Sequence, residues 1–213
     1  TGALQAGSTS FFVLAVTKTS VSNVVVIIAA APIIAAGISG VWLRERTERR
    51  VWVAIAVVMV GIVVVVSGSL GGGSLTGDLF AVAAISMFGT SLVILRRFPD
   101  IDRTLMVCVG GAGMAVIAAV PATIWGHEAK TWVAVILMGT VFGPISRVMI
   151  AAAPRYLPAA EVGLFVPVET VAASAWAWLF FDETPLVTTY VGGVIVVAGV
   201  LWGTYRPTPR VAR

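Results

Sequence analysis

The sequence holds one cysteine, Cys108, and one histidine, His127. A lone thiol excludes an internal disulfide. No cysteine stands near the histidine, so a His/Cys metal site is excluded too. Charge is equally scarce. Asp, Glu, Lys and Arg make up 11% of the 213 residues, against about 25% in soluble globular chains. That scarcity excludes an ordinary soluble domain. It also means that the net charge of +4 does not describe a nucleic-acid surface. No ATP-binding segment is visible. Gly110-Gly111-Ala112-Gly113 looks like a fragment of a dinucleotide fingerprint, but it lies inside an apolar run with no strand before it, and the nucleotide reading fails.

What remains is apolar. Hydrophobic residues form 59% of the chain, and the mean hydropathy is +1.01. They come in blocks of about 20, the length that crosses a hydrocarbon core of roughly 30 Å as helix. Eight spans are expected, near residues 2–17, 20–43, 50–68, 78–95, 103–125, 131–152, 159–181 and 186–204. Short polar breaks separate them, among them Arg44-Glu45-Arg46-Thr47-Glu48-Arg49 and Asp182-Glu183-Thr184-Pro185. Backbone in hydrocarbon must bond to itself, which leaves helices or a closed barrel. Val53 to Val66 shows no polar–apolar alternation, so the expected fold is an all-α membrane bundle. No linker is long enough to separate soluble domains.

Basic residues fall mostly on one side. Arg44, Arg46, Arg49, Arg50, Arg96, Arg97, Arg103, Arg155, Arg206, Arg210 and Arg213 share alternate loops and the C-terminal tail, and only Lys18 and Lys130 oppose them. The basic side is expected to face the cytoplasm. Both chain ends are then cytoplasmic and His127 is external. Trp and Tyr residues near span ends, such as Trp42, Trp52, Trp132 and Tyr205, suit the membrane interface.

An offset of 138 residues aligns two parts of the chain. It pairs Ser8 with Ser146, Ala35 with Ala173, Glu45 with Glu183, Val58 with Val196 and Gly61 with Gly199. Spans one to three fall on spans six to eight. Five helices separate the copies, an odd number, so the second copy is inverted. Inverted repeats belong to alternating-access transporters, with substrate near the midplane. Residues 1–68 are then expected to be the last three helices of a first repeat, and residues 75–213 a complete five-helix second repeat. Two further helices, about 60–70 residues at the spacing of the others, are expected before Thr1 in a ten-helix whole.

Three groups of residues carry a family resemblance. The first is Ala31-Pro32 in mid-span with Leu43-Arg44-Glu45-Arg46 at the span end. The second is the Trp52 span with Gly61-Ile62-Val63. The third repeats the theme as Val168-Glu169-Thr170, Phe181-Asp182-Glu183-Thr184 and Gly199-Val200-Leu201. The sequence resembles the EamA-type branch of the drug/metabolite transporter superfamily over essentially its whole length. The resemblance implies a bacterial inner-membrane exporter or importer of amino acids and other metabolites. Where the family often has Glu-Pro, this chain has Glu169-Thr170, with Pro167 just upstream.

Charges within spans are the leading site residues. Arg147 lies inside the sixth span, where a charge costs at least about 2.5–3.5 kcal/mol on insertion scales, unless it snorkels to the interface. Glu169 sits mid-span, too deep to snorkel. It is either a structural ion pair or a group that carries a proton or meets substrate, and Arg147 on an adjacent helix is a candidate partner whose contact the sequence does not establish. Gln5, Ser8, Thr90, Ser146, Thr170 and Ser174 are polar positions within spans, open to substrate contact or to interhelical bonding. Pro32, Pro121, Pro144 and Pro167 are expected to kink helices.

The expected function is secondary transport, as an exporter, of small metabolites such as amino acids by alternating access. A proton is an admissible coupling ion, the partners are the substrate and the bilayer, and no cofactor, metal or nucleic acid is called for. The alternatives are a non-transporting membrane scaffold or sensor, and a membrane-embedded enzyme. Scattered acids and a single external histidine speak against the enzyme.

Overall fold

The computed structural model describes residues 1–67, 73–119, 129–181 and 186–205. His127, Pro121, Glu183 and the basic tail residues Arg206, Arg210 and Arg213 lie outside them, as does the pairing of Glu45 with Glu183.

The described residues are helical throughout and contain no strand. Helix α1 runs Gly2–Lys18. The Ser20 hydroxyl caps α2, Val21–Ala29, by accepting from Asn23 N–H. Pro32 then interrupts the ladder, because a proline has no N–H to give. The chain breaks at Ala30 (φ −76°, ψ 3°) and restarts as α3, Ala31–Ile38. A π-turn, Ser39–Leu43, closes this span and ends on Arg44 in the left-handed region at φ 55°. Next come α4, Arg49–Val66, and α5, Leu75–Arg97, capped by Ser74, with Asp78 in its first turn and Arg96 and Arg97 in its last. Those charges complement the helix dipole at both ends.

Helix α6 covers Arg103–Ala119. Helix α7, Ala129–Leu137, passes through a second π-turn, Met138–Phe142, into α8, Gly143–Ala152, which has Pro144 in its first turn. Short α9, Ala159–Gly163, leads to α10, Val166–Phe181, and the chain closes with α11, Val187–Thr204.

Helix therefore occupies each of the eight expected stretches. Six are long and apolar enough to cross a membrane: Val21–Leu43, Arg49–Val66, Leu75–Arg97, Thr131–Arg155, Ala159–Phe180 and Val187–Thr204. Helix α1, with 17 residues, and the apolar stretch Arg103–Ile117 are shorter than that measure.

Packing follows small residues rather than a hydrophobic drive, since lipid is as apolar as the helices. Helix α1 lies against α5 and α6, and α3 lies against α5 and α9. The longest seam joins α4 to α11. Its core is Ile55, Val58, Ile62, Val196, Val200 and Leu164, all buried. A methyl on Gly61 would stand 2.8 Å from Val196 Cγ2, and one on Gly199 3.1 Å from Val58 Cγ2. Gly192 lies against Val65, and Gly203 against Ala54. These contacts run antiparallel. They also come in pairs: adding 138 to the α4 residue and subtracting it from the α11 residue turns each contact into another of the set. The outward faces carry exposed Val53, Val60, Val63, Val191, Val194 and Leu201, the surface that hydrocarbon covers.

Candidate functional site

A cavity of about 290 Å³ opens among α1, α5, α8 and α10. Small-molecule sites run from about 300 to 1,000 Å³, so this one matches a small metabolite. Its polar groups come from broken or interrupted helices. Arg147 follows the π-turn and Pro144 at the head of α8. Glu169 stands in the first turn of α10, just past the interruption between α9 and α10. Transporters place substrate sites at helix interruptions of this kind near the midplane.

Arg147 donates from Nη2 to Thr9 Oγ1 at 3.3 Å. That is its one hydrogen bond among the described residues, and the rest of the guanidinium is left to the cavity that it lines. The candidate Arg147–Glu169 ion pair is not formed. Ion pairs do form elsewhere, at Arg50–Glu48 and Arg96–Glu45. Arg147 and Glu169 instead line one space without closing on each other, and Glu169 is exposed within it.

Hydroxyls line the same space, and three of them are anchored to backbone. Ser8 Oγ donates to the Ala84 carbonyl at 2.9 Å across to α5. Thr9 Oγ1 donates to the Gln5 carbonyl at 3.0 Å, and Ser146 Oγ to the Gly143 carbonyl at 3.0 Å. A hydroxyl that donates to a carbonyl keeps its lone pairs free to accept. Phe12, Ile28, Ile85, Phe88 and Leu92 make the apolar wall.

Of the residues expected from the sequence, Gln5, Ser8, Ser146, Arg147 and Glu169 share this cavity. Thr90 and Thr170 do not. Thr90 Oγ1 donates to the Ser86 carbonyl one turn back on its own helix, the usual way a helical threonine satisfies itself. Thr170 lies outside the lining, and its carbonyl takes the Ser174 hydroxyl. Two polar lining residues escaped the sequence reading. One is Thr9, whose signal was available, since it stands 138 positions before Arg147. The other is Ser91, next to Thr90, 2% exposed and with its Oγ unpartnered. Among the described residues, no group of three His, Cys, Asp or Glu is placed to hold a metal ion.

The family model described as the EamA-like transporter family matches residues 1–67 and 75–205. The chain is similar to the pseudopaline exporter CntI of Pseudomonas aeruginosa, 24% identical over 169 residues, covering 76% of this chain and 58% of that protein. It thus spans under two thirds of that exporter's length. It is also similar to an uncharacterized transporter of Archaeoglobus fulgidus, 20% identical over 191 residues, covering 89% of this chain and 69% of that one. A solved crystal structure superposes with a TM-score of 0.79 at 17% identity, over 93% of this chain and 72% of the other. The superposition agrees in fold.

Proposed function

The chain belongs to the EamA-like transporter family, and we propose that the protein it represents exports small zwitterionic metabolites such as amino acids across the bacterial inner membrane. One observation carries this reading: a guanidinium, a carboxylate and a set of hydroxyls line one cavity between membrane-crossing helices. Charges at such depth are expensive and persist where they serve a substrate or an ion. Arg147 suits a substrate carboxylate, because its planar fork donates in pairs. Glu169 suits an ammonium group or a proton. The wall of Phe12, Phe88 and Leu92 suits an apolar side chain. That a similar protein is called an exporter supports the outward direction.

The movement proposed is alternating access between two inverted halves. The self-matching contacts of the α4–α11 seam support it, as does the bond between Arg147 and Thr9. Residues 1–68 and 75–213 are the proposed parts of those halves, and both chain ends are proposed to be cytoplasmic. The experiment is a resistance screen. Cells expressing the full-length gene should tolerate toxic amino-acid analogues better than cells carrying Arg147→Gln. Equal sensitivity of both to every amino-acid analogue, with the protein present in the membrane, contradicts the substrate class.

A further inference from the structure

We propose a second binding site, outside the central cavity, where the ends of two membrane-crossing helices meet, and that it takes an anionic phosphate group. The helices are Val21–Leu43 and Leu75–Arg97. A space of about 440 Å³ lies at their C-terminal ends, lined by Trp42, Leu43, Arg44, Glu45, Arg96 and Arg97. Each helix has run its full apolar length before reaching it, so the space stands at headgroup depth. The site does not depend on what the central cavity carries.

The charges that line it do not cancel. Three guanidiniums meet one carboxylate, Glu45. Arg96 answers that carboxylate, with Nε 3.2 Å from Glu45 Oε1, and its Nη1 donates to the Pro154 carbonyl at 3.0 Å. Arg44 and Arg97 remain. Both are exposed, and no ion pair engages either of them among the described residues. Arg97 lies over the Phe98 ring, 5.8 Å from its centroid, a contact that orients a guanidinium and leaves its N–H groups free. Arg44 is placed by the backbone. It ends the π-turn in the left-handed region at φ 55°, and the Glu45 N–H behind it bonds to the Ser39 carbonyl at 3.3 Å.

A net positive space of this kind repels a metal ion or an amine. A planar guanidinium fork matches phosphate oxygens in pairs, and two forks on one space suit a phosphate bridged between them. The surroundings favour a lipid as its carrier. Val41 is 87% exposed and Trp42 50% exposed, an apolar flank beside the arginines where acyl chains can lie and where an indole suits the interface. Basic pockets between membrane helices take anionic headgroups in this way. A phosphate held by both arginines ties the turn that follows one membrane helix to the last turn of another.

The test uses the full-length protein in a neutral detergent, with bound lipid counted by native mass spectrometry as phosphatidylglycerol is added. Phosphatidylglycerol should bind at least about threefold more tightly than phosphatidylcholine, the scale of an exposed ion pair. Arg44→Gln and Arg97→Gln should each weaken it about threefold, and the double variant about tenfold. Arg49→Gln removes the same charge at the exposed start of α4, outside this lining, and should leave binding unchanged. Should Arg44→Gln disturb the left-handed turn and lower the yield, Arg97→Gln, at the end of a regular helix, carries the test alone. Displacement of the lipid by an equal concentration of glycerol 3-phosphate marks a soluble phosphate ester as the ligand, and no displacement marks the lipid. Either supports the site. Equal binding of the two lipids, wild-type affinity in Arg97→Gln, or an equal loss in Arg49→Gln overturns it.

Discussion

Arg147 Nη2 stands 3.3 Å from Thr9 Oγ1, and the two residues are 138 positions apart, the offset that pairs Gly61 with Gly199. On the proposed inverted repeat, a residue that touches its own counterpart lies on the axis that would relate the two copies. The α4–α11 seam has a related property: its contacts come in matched pairs, with Gly61 against Val196 answered by Val58 against Gly199. The proposed two-fold axis thus passes through the cavity and through the middle of the seam. In the proposed alternating-access cycle, substrate held there would meet both halves.

Arg147→Met keeps an unbranched, flexible side chain, shortened by the end of the guanidinium, and removes the charge. A hydrogen bond to a charged group is worth about 1.5–3 kcal/mol, so apparent substrate affinity should fall roughly 10- to 100-fold while the protein stays folded. Thr9→Val removes one neutral acceptor and should cost no more than about tenfold. Counterflow kinetics in proteoliposomes measure both. A larger effect at Thr9 than at Arg147 would assign recognition to the wrong partner.

Gly61→Leu and Gly199→Leu should destabilise the bundle alike. Each drives bulk into a seam where even a methyl is tight, and overpacking costs about 1–3 kcal/mol. Thermal unfolding in detergent should show similar falls in Tm for the two. Gly37, with nothing within 4 Å of an added methyl, is the control, and Gly37→Ala should change stability by no more than about 0.5 kcal/mol. A strong loss at one seam glycine and none at the other speaks against matched halves.

Topology is open to a labelling test. With Cys108→Ser as background, an impermeant thiol reagent added outside whole cells should reach His127→Cys and miss Asp100→Cys. Labelling at position 100 alone reverses the orientation drawn from the arginine-rich loops.

The helical stretches were legible because hydropathy reports length and depth directly. Arg147 and Glu169 were legible for the same reason: a charge inside an apolar block stands out. The face of a helix was not. Thr90 and Ser91 are neighbours of similar chemistry, yet Ser91 lines the cavity and Thr90 bonds to its own backbone. That choice is made by packing against α1 and α3, which no local pattern records. The π-turns at Ser39–Leu43 and Met138–Phe142 were hidden too, since their residues read as ordinary apolar helix. Arg147 and Glu169 line one space without closing to an ion pair, a distance the sequence left open because adjacency along the chain of helices does not fix rotation. Both groups face the cavity, and each leaves room for something between them.

The central claim, that this cavity moves a small zwitterion and that Glu169 governs the step, is tested most directly by Glu169→Gln in proteoliposomes. The variant keeps shape and removes charge and titration. It should insert at wild-type yield, unfold at the wild-type temperature, and either lose transport by about tenfold or more, the scale of one charged hydrogen bond, or lose its dependence on pH. Wild-type transport rates together with wild-type pH dependence in Glu169→Gln would contradict it.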